Sequence, residues 1–370
     1  MTDETVFDTV EDALQAIRAG DMVVVVDDDD RENEGDLIMA ASKATPEKVA
    51  FMIRHTSGIL CAPLLEEQAA RLHLDPMVAR NDAPMSTAFT VSIDYSEGLT
   101  TGISAEERAN TVVALTSNNV RGEDFVRPGH IFPLVARQGG VLVRSGHTEA
   151  GVDLAIHAGL PPVGLLAEIV NDDGTVQRLP QLIEFAREHG LKMISIADLI
   201  AYRQRREQLV ERTHEFEIQT RIGPAKAYAY KTKFEDAEHI ALIFGDIDMS
   251  ESVLVRIHRE KMIDDLFGPQ SEHPQSLLEA SLDKIAGEGR GVFIYLRSGF
   301  VGVPMQALKA SEASTKEAER HSNWLEVGVG AQILRDIGVK RLRLIAGREV
   351  GYVGVEGFGL TLEATALLDD

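Results

Sequence analysis

The chain has 370 residues, of which 44% are hydrophobic and 26% are charged, a composition typical of a globular protein with two domains. Its 59 acidic residues outnumber 37 basic ones, and the formal net charge of −22 disfavours binding to nucleic acid or anionic membranes. No apolar run approaches the roughly 18 residues of a membrane span, and the acidic N-terminus does not resemble a signal peptide. We therefore expect a cytoplasmic protein without nucleic-acid or membrane partners.

The chain contains a single cysteine, Cys61. An intrachain disulfide is therefore impossible, which fits a reducing cytoplasm. A zinc site that uses several thiolates of one chain is excluded as well.

The first half alternates apolar runs of strand character with amphipathic helical patterns. The predicted strands are Met22–Val26, Phe89–Ile93, Val141–Val143 and Leu165–Val170, and the predicted helices are Phe7–Ile17, Thr45–His55, one beginning at Ser104, and Thr148–Ala158. This alternation predicts an α/β domain, in the form of a mixed α+β layered fold.

A strongly charged segment, residues 203–212, divides the chain, and a second pattern of strands and helices follows it. We predict a first domain over residues 1–205, a charged linker over 206–214, and a second α/β domain over 215–370.

The densest polar feature is the run Asp27–Asp36, which directly follows a predicted buried strand. Acidic runs are commonly solvated loops, but loops that follow buried strands often carry active sites. Carboxylate oxygens at this density suit Mg²⁺ or Mn²⁺, and Arg31 within the run could contact an anionic substrate.

A second polar feature, Arg144–Thr148, lies between a predicted strand and a predicted helix. Helix N-termini bind phosphate, Arg144 would add a bidentate donor, and His147 could offer a neutral nitrogen to a metal. The alternative is a structural loop in which Thr148 is only an N-cap.

Two single residues also allow two interpretations. Glu168 lies inside an apolar strand, where it either faces solvent or is a buried carboxyl whose pKa is adjusted for proton transfer. His130 lies between two prolines and is either a structural or a catalytic histidine.

Several strings in the first half occur together in the order and at the spacing of one enzyme family. They are DRENEGDL (30–37), TTGIS (100–104), RPGH (127–130), RSGHTEA (144–150) and NDDGT (171–175). From about residue 5 to Arg203 the chain resembles 3,4-dihydroxy-2-butanone-4-phosphate synthase, and five strings together are far more specific than any one of them.

The resemblance implies a homodimeric lyase of riboflavin biosynthesis that converts D-ribulose 5-phosphate to L-3,4-dihydroxy-2-butanone 4-phosphate and formate. It implies that Glu32 and His147 bind two Mg²⁺ or Mn²⁺ ions per site, and that His130 and Glu168 are the catalytic acid–base residues. The substrate would be contacted by Arg31, Glu32, Asp36, Arg144, Ser145, Gly146, His147, Thr148 and Glu168.

The second half resembles a different family, GTP cyclohydrolase II. The matching strings are VRIH (255–258), EGRGV (288–292), YLR (295–297) and GAQILRDIG (330–338). That family holds zinc with three cysteines, whereas no cysteine follows Cys61 in this chain.

The positions expected to carry the thiolates hold Lys261 and, nearby, Glu272 and His273, while Ser298–Gly302 replaces a glycine- and arginine-rich catalytic turn. We therefore expect no bound zinc and an inactive cyclohydrolase-like domain. Two alternatives remain: a bifunctional enzyme that hydrolyses GTP at a thiolate-free zinc site including His258, or a nucleotide-binding regulatory domain.

Overall fold

The computed structural model describes residues 6–28, 31–233, 237–247, 251–268, 275–297, 328–346 and 358–368. The chain divides into two compact units, Met1–Tyr202 and Arg203–Asp370. Over the described residues, each unit contains helices and one seven-stranded sheet, which confirms the α/β class predicted for both halves. None of the described helices is long and apolar enough to cross a membrane.

The first unit is built on a mixed sheet with the strand order β4-β5-β3-β6-β2-β1-β7. Its strands are β1 (Val23–Val26), β2 (Gly35–Ala40), β3 (Cys61–Leu65), β4 (Ile93–Tyr95), β5 (Phe125–Ala136), β6 (Gly164–Glu168) and β7 (Lys192–Ser195). Its helices are α1 (Val10–Ala19), α2 (Pro46–His55), α3 (Glu66–Arg71), α4 (Ala105–Leu115), α5 (His147–His157), α6 (Leu179–His189) and α7 (Ile196–Arg206), the last of which continues into the second unit.

The helix boundaries follow capping signals in the sequence. The Thr9 and Ser104 hydroxyls accept backbone N–H groups in the first turns of α1 and α4, and α1 ends at Gly20, whose φ of 95° favours glycine. Pro46 opens α2, at a position where a missing N–H costs nothing.

The centre of this sheet positions several polar residues. Strands β1 and β2 are buried throughout and pair antiparallel, so that the acidic segment between them forms their connection. Asp36 at the start of β2 lies opposite Val25 on β1 and opposite Glu168 on β6. The register therefore places Asp36 and Glu168 side by side at one end of the central strands.

One predicted strand is wrong and another is displaced. Val141–Val143 is not a strand, because Gly140–Leu142 forms a 3₁₀ turn in which the Val141 N–H donates to the buried Asp153 carboxylate over 2.8 Å. Of Phe89–Ile93 only Ile93 belongs to a strand, β4. A short apolar run does not reveal a turn that is stabilised by a distant side chain.

The second unit contains a sheet with the order β14-β13-β11-β12-β10-β9-β8. Its strands are β8 (Val210–Thr220), β9 (Gly223–Thr232), β10 (Glu238–Phe244), β11 (Ser252–Arg259), β12 (Gly291–Leu296), β13 (Arg341–Ala346) and β14 (Thr361–Leu367), and its helices include α8 (Met262–Phe267), α9 (Leu277–Glu288) and α10 (residues 328–337). Strand β8 begins within the segment predicted as a linker, because an edge strand needs ladder hydrogen bonds to β9 but little apolar burial.

Candidate active site

The loop between β1 and β2 is organised by the carboxylate of Asp27. One oxygen accepts the Arg31 guanidinium at 2.9 Å and the Glu32 N–H at 3.0 Å, and the other accepts the Glu34 N–H at 2.9 Å. The Asp27 and Arg31 side chains are almost completely buried. Since both oxygens of Asp27 are engaged, this carboxylate sets the course of the loop and thereby the position of Glu32.

Glu32, Asp36 and His147 form what we call the carboxylate–histidine cluster. Nδ1 of His147 lies 3.6 Å from a carboxylate oxygen of Glu32 and 3.9 Å from one of Asp36. Nε2 of His147 lies 3.1 Å from the carbonyl oxygen of Val25. A carbonyl can only accept, so Nε2 is the donor, and in the neutral ring the lone pair of Nδ1 faces the carboxylates.

The electrostatics of this cluster favour a cation. Burial opposes ionisation of Glu32, but the protonated ring of His147 and the charge of Arg31 outweigh it and lower its pKa to about 2. Burial raises the pKa of Asp36 to about 7. Burial also disfavours charged His147, yet Asp36 and Glu32 raise its pKa to about 9. A divalent cation would compete with the imidazole proton for the same negative field.

The donor set of the cluster fits a hard divalent metal ion. Among the described residues, ligand atoms of Asp27, Glu32 and His147 lie within 4.8 Å of one another. The oxygens of Asp27 are already engaged by the loop, whereas Oδ1 of Asp36 is buried and has no hydrogen-bond partner. A carboxylate, an imidazole and an unsatisfied carboxylate oxygen suit Mg²⁺ or Mn²⁺, which retain several waters or substrate oxygens as ligands.

Glu168 lies next to this cluster, at the end of β6. It pairs with Asp36 across the strands, and it accepts a hydrogen bond from the Ser57 hydroxyl at 2.7 Å. Its half-buried position does not isolate it from solvent. Cys61 on β3 is buried, and burial raises the pKa of its thiol, so it behaves as a small core residue and not as a nucleophile.

The segment Arg144–Thr148 forms the N-terminus of α5. The Arg144 guanidinium donates to the buried Glu149 carboxylate at 2.7 Å and to the Met85 carbonyl at 3.2 Å. A Cβ at Gly146 would displace the ends of the Arg144 and Glu149 side chains, so glycine leaves room for the ion pair between them. No side chain caps this helix at Gly146, which leaves backbone N–H groups available for an anion.

His130 occupies a different part of the sheet, on β5. Its Nδ1 lies 2.7 Å from one oxygen of Asp94, and its backbone N–H donates to the other oxygen at 2.8 Å. In the part of the chain that the structure describes, no hydrogen bond or ion pair joins His130 to the carboxylate–histidine cluster. One chain therefore brings together the cluster and Glu168, but it does not bring His130 into direct contact with them.

Four residues of these arrangements were not singled out from the sequence. They are Asp27, Ser57, Asp94 and Glu149, each of which holds a predicted site residue by a hydrogen bond. Asp27 belongs to the acidic run, and Asp94 directly follows a predicted strand, a position where functional carboxylates often occur. Glu149 lies within the string RSGHTEA (144–150), where no role was assigned to it, and nothing in the local sequence distinguishes Ser57.

In the second unit, the buried His258 belongs to a hydrogen-bonded network centred on Asp265. Its Nε2 lies 2.9 and 3.1 Å from the two oxygens of Asp265, which also accepts the Tyr295 hydroxyl at 3.0 Å and the Lys261 N–H at 2.9 Å. The described residues of this unit contain no group of three potential metal ligands. Glu272, His273 and the turn 298–302 lie outside the described residues.

Comparisons with known proteins agree with this two-part organisation. The family model of 3,4-dihydroxy-2-butanone 4-phosphate synthase matches residues 11–202, and that of GTP cyclohydrolase II matches residues 211–366. The riboflavin biosynthesis protein RibBA of Bacillus subtilis is 47% identical over 96% of this chain and 92% of its own length. Two Arabidopsis thaliana chloroplastic relatives are the bifunctional RIBA 1, 47% identical over 96% of this chain and 68% of its own length, and the monofunctional RIBA 2, 48% identical over 96% and 76%.

Solved structures of 3,4-dihydroxy-2-butanone 4-phosphate synthases also match this chain. RibBX of A. baumannii, described as a two-domain 3,4-dihydroxy-2-butanone 4-phosphate synthase, superposes with a TM-score of 0.81 at 38% identity over 97% of this chain and 99% of its own. A synthase in complex with two magnesium ions matches 54% of this chain and 98% of its own, with a TM-score of 0.53 and 44% identity. The chain therefore belongs to the 3,4-dihydroxy-2-butanone 4-phosphate synthase family and is an enzyme that forms this product, with a second domain of the GTP cyclohydrolase II family.

Proposed function

We propose that the carboxylate–histidine cluster is the site at which this lyase converts D-ribulose 5-phosphate to L-3,4-dihydroxy-2-butanone 4-phosphate and formate. The observation that carries this proposal is the orientation of His147, whose Nδ1 faces Glu32 at 3.6 Å while Nε2 is held by the Val25 carbonyl. The similarity of the first half to a synthase in complex with two magnesium ions supports two Mg²⁺ or Mn²⁺ ions per site, bound by Glu32 and His147.

The chain's own residues would orient the sugar around these ligands. When bound, the ions would supply Lewis acidity to the carbonyl and hydroxyl oxygens of the substrate. Arg31 holds Glu32 in place through a 2.5 Å contact, and Asp36 and Glu168, side by side on β2 and β6, are positioned to contact substrate hydroxyls. The N-terminus of α5, with Arg144, Ser145 and Thr148, would bind the phosphate.

We expect formate release from ribulose 5-phosphate to require a divalent ion and to fall more than roughly a hundredfold in Glu32→Ala and in His147→Ala, because each substitution removes a direct ligand. The measurement is a formate assay with metal titration. The control is Glu67→Ala, an exposed carboxylate on α3. Full activity in excess chelator would contradict the metal assignment.

We expect Arg144→Ala to raise KM for ribulose 5-phosphate by roughly ten- to a hundredfold, since a charge-assisted hydrogen bond contributes about 1.5–3 kcal/mol. Turnover can fall as well if the substrate is misplaced. Inorganic phosphate should inhibit the wild type more strongly than the variant. Unchanged KM together with unchanged turnover would mean that the phosphate binds elsewhere.

We propose that His130 and Glu168 transfer protons and do not bind the metal. His130→Gln and Glu168→Gln should therefore retain metal and substrate affinity while kcat falls by roughly a hundredfold or more. Isothermal titration with Mn²⁺ measures the first quantity and a formate assay the second. A loss of metal affinity as large as that of His147→Ala would show that the roles are divided wrongly.

We also propose that the second domain does not hydrolyse GTP. Opening the guanine ring needs a Lewis acid to activate water, and the single cysteine of the chain lies buried in the first unit. His258 is engaged by Asp265 and stacks on Phe293 and Tyr295, as a structural residue would. The relative RIBA 2 is named monofunctional and RibBX is named only as a synthase, which supports this proposal, whereas RIBA 1 is named bifunctional.

Purified protein should accordingly contain no stoichiometric zinc and release no formate from GTP, while formate release from ribulose 5-phosphate continues. Elemental analysis and separate assays with each substrate measure these outcomes. GTP-dependent formate release that is abolished by His258→Ala or His273→Ala would instead establish a thiolate-free zinc site and a bifunctional enzyme.

We propose that the enzyme is a cytoplasmic homodimer, as the resemblance implies. The buried, unpaired Cys61 is compatible with a reducing compartment. The first unit exposes the large apolar side chains Ile59, Ile103 and Val126, which are suitable for contact with a second copy.

A further inference from the structure

The contact between His130 and Asp94 has a specific geometry. The two carboxylate oxygens of Asp94 accept separate hydrogen bonds from the same residue, one from the His130 backbone N–H at 2.8 Å and one at Nδ1 of the ring at 2.7 Å. The Asp94 side chain is 4% exposed and the His130 side chain is 38% exposed. The buried carboxylate therefore holds one edge of the ring while the other edge remains accessible.

This geometry selects one tautomer of His130. An ionised carboxylate can only accept hydrogen bonds, so Nδ1 must carry the proton that points at Asp94. In the neutral ring the lone pair is then on Nε2, at the accessible edge. Among the described residues no hydrogen bond is made by that nitrogen, which is therefore placed to accept a proton from a substrate.

The surroundings keep Asp94 in place. It lies on β4 opposite Val126 of β5, and a Cβ at Gly102, whose φ is 84°, would lie 2.7 Å from Nδ1 of His130 and would collide with Asp94. Burial lowers the pKa of the Arg108 guanidinium and the attraction of Asp94 opposes this shift, so a positively charged side chain lies near Asp94.

We propose that Asp94 is a positioning residue of the lyase, which holds His130 in the Nδ1–H tautomer so that Nε2 accepts the substrate proton. This inference rests on the proton-transfer role proposed for His130. In the step, the proton moves from the substrate to Nε2 and the electron pair of the broken bond remains on the substrate. The proton returns to an oxygen of the substrate when water leaves.

Asp94→Asn tests the proposal because the amide has nearly the shape of the carboxylate but opposite hydrogen-bonding capacity on one side. If its oxygen keeps the His130 backbone N–H, its NH₂ group donates to Nδ1 and forces the proton onto Nε2. We expect kcat to fall by roughly a hundred- to ten-thousandfold, with KM changed by less than about threefold. ¹⁵N NMR of histidine-labelled, Mg²⁺-loaded protein should show His130 changing from the Nδ1–H to the Nε2–H tautomer, with the resonance assigned by its loss in His130→Gln.

Ser92→Ala is the matched control, because the Ser92 hydroxyl accepts the Gly129 N–H in the same segment but does not touch the ring. It should retain the wild-type tautomer and nearly wild-type kcat. A kcat loss in Ser92→Ala equal to that in Asp94→Asn would overturn the proposal, as would unchanged kcat or an unchanged tautomer in Asp94→Asn. If Asp94→Asn does not fold, Asp94→Ala replaces it, and mixed tautomers with reduced kcat are then the expected result.

His130→Gln separates this inference from the function on which it depends. If His130→Gln retains turnover, the proton-transfer role fails whatever Asp94 does. If His130→Gln is inactive but Asp94→Asn is fully active, only the positioning role fails. Adding Asp94→Asn to His130→Gln should lower kcat no further, since the two residues act as one unit, and an additional loss of tenfold or more would overturn the proposal.

Discussion

The ion pair and hydrogen bonds of Asp27 are the constraint on which the active-site loop depends. Residues 27–36 carry a high density of negative charge, and such a segment left to itself would extend to separate its carboxylates. Asp27 counteracts this tendency because its buried carboxylate accepts the Arg31 guanidinium and two backbone N–H groups. Removing it would take away the Asp27 carboxylate that the buried Arg31 guanidinium contacts at 2.9 Å, and the loss of one partner from a buried ion pair is costly. The loop geometry, and with it the position of Glu32, is therefore set by a residue whose own oxygens are already engaged.

The carboxylate–histidine cluster beyond this loop is electrostatically strained, because it brings buried carboxylates and an imidazole close together. Glu32 is ionised, Asp36 is buried with an oxygen that lacks a hydrogen-bond partner, and His147 is drawn toward its charged form by both. Each of these features would cost stability in a core that had no ligand to bind. Strand pairing imposes the strain, since the register of β1, β2 and β6 fixes Asp36 beside Glu168 regardless of their mutual repulsion. The apolar packing of fully buried β1 and β2 supplies the rigidity that holds these groups together.

Sequence reasoning succeeded where the relevant information is local. Capping residues such as Ser104, the apolar run of β1 and the strings around Arg31 and His147 indicated the α/β class, the family and the candidate site residues. It failed where a feature depends on a distant side chain, as with the turn at Val141 that Asp153 stabilises. The supporting carboxylate Asp94 was missed for the same reason, because a hydrogen bond across 36 residues leaves no periodic pattern. The domain boundaries stay predictions, as do the site roles, which the experiments above address.

In the second domain, the residues that stabilise the fold differ from those that its family needs for catalysis. Its sheet depends on apolar side chains such as Phe244, Ile285, Phe293 and Ile345, which pack together whether or not zinc is present. Zinc-dependent hydrolysis in this family depends on a few cysteine thiolates. Lys261, at a position expected to carry one of them, places a cation that repels the metal where the family has an anionic ligand. In the described residues at this position, the Lys261 backbone N–H donates to Asp265, and Asp265 also lies within hydrogen-bond distance of Nε2 of His258. Neither these hydrogen bonds nor the apolar packing involves a thiolate, so the fold can persist in a chain whose second half contains no cysteine.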